Sequence, residues 1–290
     1  MREFKSFYKT VGGNEGSKCR YPTRLDLYGC GCAHDCSYCY AKSLLSFRGL
    51  WNPQDPAGAD MDKVRKRIAK IPPGGVVRLG GMTDCFQDAE RTHRLTLQTI
   101  RALAERRVFF LIVTKSDMVA DDLYMDAMPK DLAHIQISIT ATDDKRAQGY
   151  EKAPSISRRI EAVEKLTAAG FDTALRLSPF IPEYIDFDRL AAVRCDKLLV
   201  EFLRVNHWIK RWFDIDYTPY TLKSGGYLHL PLERKIDLLH KIHGFREVSV
   251  CEDVTAHYEF WKKHVNPNPE DCCNLRATKK GESYGNLKAV

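Results

Sequence analysis

The sequence predicts an α/β fold in which a curved, mostly parallel sheet approaches a TIM-like (β/α)6 barrel and carries a C-terminal extension. Three observations lead there. Apolar or alternating segments of strand length recur along the chain. Helix-period patterns separate most of them, which implies parallel βαβ units with right-handed crossovers. Six or seven such units in 290 residues exceed what a small doubly wound sheet holds.

The first predicted strand, Arg24 to Tyr28, runs into a cysteine-rich stretch. The second, Val76 to Leu79, follows the breaker Pro72-Pro73-Gly74-Gly75 and stops at Gly80-Gly81. Val108 to Val113 is a continuous apolar run suited to burial on both faces. His134 to Thr140 alternates, with Ile135, Ile137 and Ile139 on one side. Thr173 to Ser178, Lys197 to Phe202 and Glu247 to Val250 complete the set. Between strands, Met61, Val64 and Ile68 share one helical face, as do Ile156, Ile160, Val163 and Leu166 before the stop at Gly170. Residues 1–20 read as an N-terminal extension, 21–205 as the core, and 206–290 as a region that completes or caps the barrel. The tail from Lys279-Lys280-Gly281-Glu282 reads as mobile.

Composition is that of an ordinary soluble domain, 44% hydrophobic and 29% charged. No apolar run reaches the roughly eighteen residues of a membrane span. The start, Met1-Arg2-Glu3-Phe4-Lys5, leads into no apolar stretch, so no secretory signal and a cytoplasmic location are expected. The formal charge of +7 permits an anionic partner such as nucleic acid without demanding one. Of ten cysteines, five crowd between positions 19 and 39, a pattern that reads as metal ligation in a reducing compartment.

The sharpest signal is Cys32-Ala33-His34-Asp35-Cys36-Ser37-Tyr38-Cys39, just past the first strand. Three closely spaced thiolates can wrap one face of an iron–sulfur cube and leave one iron open. Zinc is the competing reading, with His34 or Cys30 as a fourth ligand. A closed electron-transfer cluster would instead recruit Cys30, across a cramped Cys30-Gly31-Cys32 geometry. A site at the C-terminal end of a strand is where TIM-type barrels place their chemistry.

Here the chain resembles the radical S-adenosylmethionine (SAM) superfamily and, within it, the spore photoproduct lyase-like family. The resemblance runs from about Thr23 to Pro182. It rests on the cysteine run with Tyr38 and the following Tyr40-Ala41, and on Gly80-Gly81-Met82-Thr83-Asp84-Cys85-Phe86-Gln87-Asp88-Ala89-Glu90. Val113-Thr114-Lys115-Ser116, Ile137-Ser138-Ile139-Thr140 and Arg176-Leu177-Ser178-Pro179-Phe180-Ile181-Pro182 extend it. The resemblance implies a [4Fe–4S] cluster on Cys32, Cys36 and Cys39, with the SAM amino and carboxylate groups on the open iron. Reductive cleavage of SAM would then give a 5′-deoxyadenosyl radical that abstracts hydrogen from a substrate. Tyr38, Gly80, Gly81, Thr83, Asp84, Lys115, Ser138, Thr140 and Arg176 become candidate SAM contacts. Gly80 and Gly81 would meet the amino group, Lys115 the carboxylate, and Ser138 and Thr140 the ribose. Arg176, a charge inside a strand, calls for either a ligand carboxylate or a core salt bridge.

Cys85, Tyr217 and Cys251 are the candidate catalytic side chains. Cys85 would serve as a thiol hydrogen donor, although the family's donor lies slightly earlier, near Met82. Tyr217 belongs to a segment, Asp214 to Tyr227, that reads as a loop able to cap the barrel mouth. Cys251, Cys272 and Cys273 read either as ligands of a second cluster or as buried inert thiols. The family points to a thymine-derived or otherwise modified base in DNA, undergoing repair or rearrangement. The mixture of Arg204, Lys210 and Arg211 with Trp208 and Trp212 suits such a partner, and equally suits core aromatics with solvated charges. A peptide or small metabolite is the second substrate class, and a non-catalytic metal-binding nucleic-acid module the third reading. A reductant such as flavodoxin or ferredoxin is the expected protein partner.

Overall fold

A computed structural model describes residues 1–277, so the predicted tail lies outside the described residues. Its centre is an eight-stranded sheet. In chain order the strands are β1 (Tyr8–Thr10), β2 (Thr23–Leu25), β3 (Val76–Leu79), β4 (Phe109–Thr114), β5 (Ala133–Ile139), β6 (Asp172–Phe180), β7 (Lys197–Phe202) and β8 (Glu247–Cys251). They lie side by side in that same order. β1 runs antiparallel to β2, and every later pairing is parallel. The sheet is thus a partial TIM-like barrel with β1 and β8 at its edges.

All seven parallel strands coincide with predicted segments. The first is shorter than expected, because Asp26 and Leu27 leave the sheet and Tyr28–Gly29 pairs instead with Ala57–Gly58. The edge strand β1 was not anticipated, since Tyr8-Lys9-Thr10 has neither alternation nor an apolar run. The predicted helices form at Met61–Ile68, capped by Asp60 and burying Val64 and Ile68, and at Ile156–Ala168, capped by Ser155. Gly170 ends the latter at φ +85°, a conformation only glycine adopts freely. No helix of the described residues is long and apolar enough to cross a membrane.

Alternation along β5 divides the sheet's two faces. Ala133, Ile135, Ile137 and Ile139 join the main apolar core with the helices. The opposite face carries His134, Gln136 and Ser138, all buried. That inner face is polar and paired: Arg176 meets Gln136 at 2.7 Å and Glu201 at 2.5 Å, and Lys197 meets Asp172 at 2.5 Å. The C-terminal segment fills it from the open side. Leu275 packs on Tyr21, Val76 and Leu111, the Arg276 amide donates to Asp172 at 2.6 Å, and Lys197 donates to the Asn274 carbonyl at 2.8 Å.

Asp172 is the hub of this plug, also accepting from His134 Nδ1 at 2.6 Å. Burial pushes its carboxyl up, but the His134 hydrogen bond and the Lys197 charge win and hold it below the ordinary 3.8. A depressed folded value contributes stability that is complete above about pH 4 and lost as pH falls through it. Asp172→Asn is therefore expected to cost about 3–5 kcal/mol in denaturant unfolding at neutral pH. The difference from wild type should shrink as the solution is acidified.

Candidate active site

The loop after β2 is fixed before any cofactor arrives. The Asn52 amide donates to the Cys30 carbonyl at 2.7 Å, and a Cβ on Gly31 would sit 2.0 Å from the Asn52 carbonyl oxygen. This close approach is why glycine stands between Cys30 and Cys32. Gln87, fully buried, clamps the next turn by accepting from the Ala33 amide at 2.9 Å and donating to the Gly31 carbonyl at 3.4 Å. Tight turns then close at Asp35 N→Cys32 O (3.1 Å) and Cys39 N→Cys36 O (3.2 Å). Cys39 caps the helix Tyr40–Phe47, its Sγ accepting from the Lys42 amide at 3.4 Å.

Cys32, Cys36 and Cys39 all line one cavity over the C-terminal ends of the strands, and Cys30 does not. Burial raises all three thiols, Cys32 to about 12. Buried soft donors that resist ionisation alone are the set a thiophilic metal centre stabilises as thiolates. His34 does not supply a fourth ligand, since its Nε2 lies 3.1 Å from Asp84. Three thiols on one loop, with Cys30 turned out of the cavity and His34 engaged by Asp84, fit a [4Fe–4S] cube with one open iron.

The same cavity is lined by Tyr38, Gly80, Gly81, Thr83, Asp84, Lys115, Ser138, Arg176 and Cys251. Asp84 accepts from Thr114 Oγ1 at 2.7 Å, the Lys115 amide at 2.6 Å and the Phe86 amide at 2.8 Å. Against the upward push of burial, His34 and these bonds hold its carboxyl at about 2. Asp84 thus fixes the mouth rather than presenting a free acid. Lys115 lies 5.5 Å over the Tyr38 ring and donates to the Ser178 carbonyl at 3.3 Å. Arg176 resolves to the core salt bridge, with Glu201, while still lining the cavity.

Three candidates stand elsewhere. Thr140 lies just beyond the end of β5 and is turned to the Tyr150 hydroxyl (2.9 Å) and Glu151 (3.3 Å). Cys85 is buried in the main core, its carbonyl held by Thr96. Tyr217 donates to the Phe213 carbonyl and lies outside the cavity. The predicted capping loop contains a short hairpin, Leu222–Ser224 with Tyr227–His229.

Sequence reading missed Glu151 and Arg159, an ion pair at 2.6 Å with both side chains essentially unexposed. Glu151 accepts from Tyr38 and lies 3.8 Å from Cys36 Sγ. Its only sequence signal was a charged pair flanking an amphipathic helix start.

Gly80 adopts φ +82°, and a Cβ there would meet the Thr83 and Val113 carbonyl oxygens at 3.2 Å. Gly80→Ala is expected to cost about 1–2 kcal/mol through left-handed backbone strain alone. A titration of SAM should show weaker binding as the turn shifts.

Three thiols that fit an iron–sulfur cube, at the mouth of a partial parallel barrel, point to a class, and the comparisons with known proteins show the superfamily. The radical SAM superfamily model matches residues 27–194, more than half of the chain, and the protein belongs to that superfamily. A [4Fe–4S] cluster and SAM are the cofactors of that superfamily. Uncharacterised proteins of Methanocaldococcus jannaschii and Mycobacterium tuberculosis are each 26% identical, over 54% of this chain and 60% and 49% of their own length. The chain therefore spans only about half of the curated relatives it matches. Among solved structures, a spore photoproduct lyase variant superposes with TM-score 0.64 at 18% identity, covering 86% of this chain and 80% of its own. Another variant, with bound AdoMet and dinucleoside spore photoproduct, gives 0.60 at 16% identity, covering 91% and 79%. These likenesses establish a shared fold.

Proposed function

We propose that the enzyme uses the 5′-deoxyadenosyl radical on a thymine-derived or otherwise modified base in DNA, repairing or rearranging it. The observation that carries this reading is an aromatic and cationic platform beside the cluster loop. The helix Tyr40–Phe47, which starts at Cys39, packs on the helix His207–Trp212 through Asn206 and Ser43. Trp208 and Trp212 lie 5.7 Å apart with ring planes 31° apart. Lys42 sits 5.3 Å over Trp212, Arg211 5.6 Å over Trp208, and Lys210 5.4 Å over Tyr217. Phe47 is 76% exposed on the adjoining helix. Rings that stack on bases beside cations that meet phosphates make a single-strand or flipped-base surface. That a protein of this fold is described with a dinucleoside spore photoproduct supports the same substrate class.

When bound, the cluster supplies the electron that cleaves SAM. The chain's own residues position the reactants. The side-chain-free Gly80–Gly81 turn would let backbone approach SAM, Lys115 and Ser138 would face it from the cavity wall, and Arg176, neutralised by Glu201, would hold the far wall. A flavodoxin or ferredoxin is the proposed reductant.

The test is 5′-deoxyadenosine formation with and without DNA carrying the modified base. Stimulation by DNA that weakens steeply with added salt supports the reading. Equal rates with and without DNA at low salt would overturn it in favour of a peptide or small metabolite. Trp208→Ala should raise the DNA concentration for half-maximal stimulation about tenfold, the scale of one lost base stack.

A further inference from the structure

We infer that Cys19, Cys251, Cys272 and Cys273 hold a second iron–sulfur cluster, in the wall of the cavity that receives SAM. These thiols come from three distant parts of the chain: the segment before β2, the C-terminal end of β8, and a turn in the plug. All four line the one cavity and none is in a disulfide. None of them belongs to the Cys32–Cys36–Cys39 set.

The scaffold around them is tied together as a ligand set requires. The turn that carries Cys272 and Cys273 closes with Asn274 N→Asp271 O at 2.9 Å. Asp271 accepts from the Cys273 amide at 3.0 Å, the Leu275 amide at 3.1 Å, and the hydroxyl of Tyr21 at 2.7 Å. Tyr21 stands two residues after Cys19, so one buried carboxylate joins both segments. Asn274 Nδ2 donates to Glu247 on β8 at 2.5 Å, and Asn266 brackets Val250 beside Cys251 by bonds of 2.7 and 3.2 Å. Adjacent cysteines in an extended chain would face opposite ways; this turn brings both to the cavity.

Charge and spacing favour a cluster over a single ion. Around zinc, four sulfurs at 2.3 Å stand about 3.8 Å from each other. Among the described residues no three Cys, His, Asp or Glu side chains converge closely enough for one metal ion, and this holds for the Cys32–Cys36–Cys39 set as well. Four thiolates on a cube leave net negative charge, and Arg78 lines the same wall to balance it. The Arg78 Nε is buried and has no hydrogen-bond partner among the described residues.

The experiment measures iron and sulfide in the full chain after anaerobic reconstitution. Wild type should hold about eight irons, two cubes of four. Cys32→Ala/Cys36→Ala/Cys39→Ala should stay brown with about four irons, and its reduced spin signal should be unmoved by SAM. Cys272→Ala/Cys273→Ala, in an otherwise native chain, should also fall to about four irons and keep the signal that SAM shifts. A colourless triple variant, a double variant with wild-type iron content, or zinc in place of iron would each overturn the second cluster.

Discussion

Cys36→Ala will reduce 5′-deoxyadenosine formation to that of cluster-free protein, whereas Cys30→Ser will keep both iron and product. Loss of an outer-shell partner alone costs about 10–100-fold at a metal site, so removal of a direct ligand is expected to exceed about 100-fold. The contrast with Cys30 is the sharper half of the prediction. Cys30 sits only two residues before Cys32 and was the natural fourth ligand, which would have closed the open iron. Its backbone is held at φ 59°, its carbonyl is bound by the Asn52 amide, and its side chain stays out of the cavity. A substitution that touches no ligand changes free energy by about 0.5 kcal/mol, roughly twofold in rate. If Cys30→Ser bleaches the protein as Cys36→Ala does, the three-ligand assignment fails.

The parts legible in the sequence were those written in short-range pattern. Period-2 and apolar runs placed all the parallel strands, and the close spacing of Cys32, Cys36 and Cys39 put them on one turn-rich loop. The strand-end polar residues followed while alternation lasted. Ser138, inside β5, reaches the cavity; Thr140, just past the strand's end at Ile139, is pulled aside by Tyr150 and Glu151. Cys85 fails for a related reason. The chain turns at Asp84, whose side chain takes the cavity side and leaves the next residue to the core. Long-range pairings left no local trace. Gln87 grips a loop 54 residues earlier, and Asp271 binds Tyr21 across 250. Such contacts are set by topology, which the order of strands alone does not resolve to single side chains.

Arg159→Leu will destabilise the protein by about 3–5 kcal/mol and lower its iron content, because it strands a buried carboxylate under the cluster loop. Neither Arg159 nor Glu151 has water to fall back on. Arg159 also donates to the Ser138 carbonyl at 3.2 Å and the Pro154 carbonyl at 2.7 Å, tying the cavity-lining strand end to the helix Ile156–Ala168. On the other side the loop is stitched to the same segment, by Ser37 N→Tyr150 O at 2.9 Å and Lys152 N→His34 O at 2.7 Å. Tyr38 donates to Glu151, and Cys36 Sγ lies 3.8 Å from it. With the guanidinium gone, an unbalanced carboxylate would face the thiolate that must form at Cys36, opposing both folding and cluster assembly. Adding Glu151→Gln removes that charge, so the double variant should recover part of both losses, and a double-mutant cycle on denaturant midpoint and iron content measures the coupling. If the double variant is as unstable as the sum of the singles, the pair does not act as a unit. The role of Arg159 would then reduce to its bonds with Ser138 and Pro154.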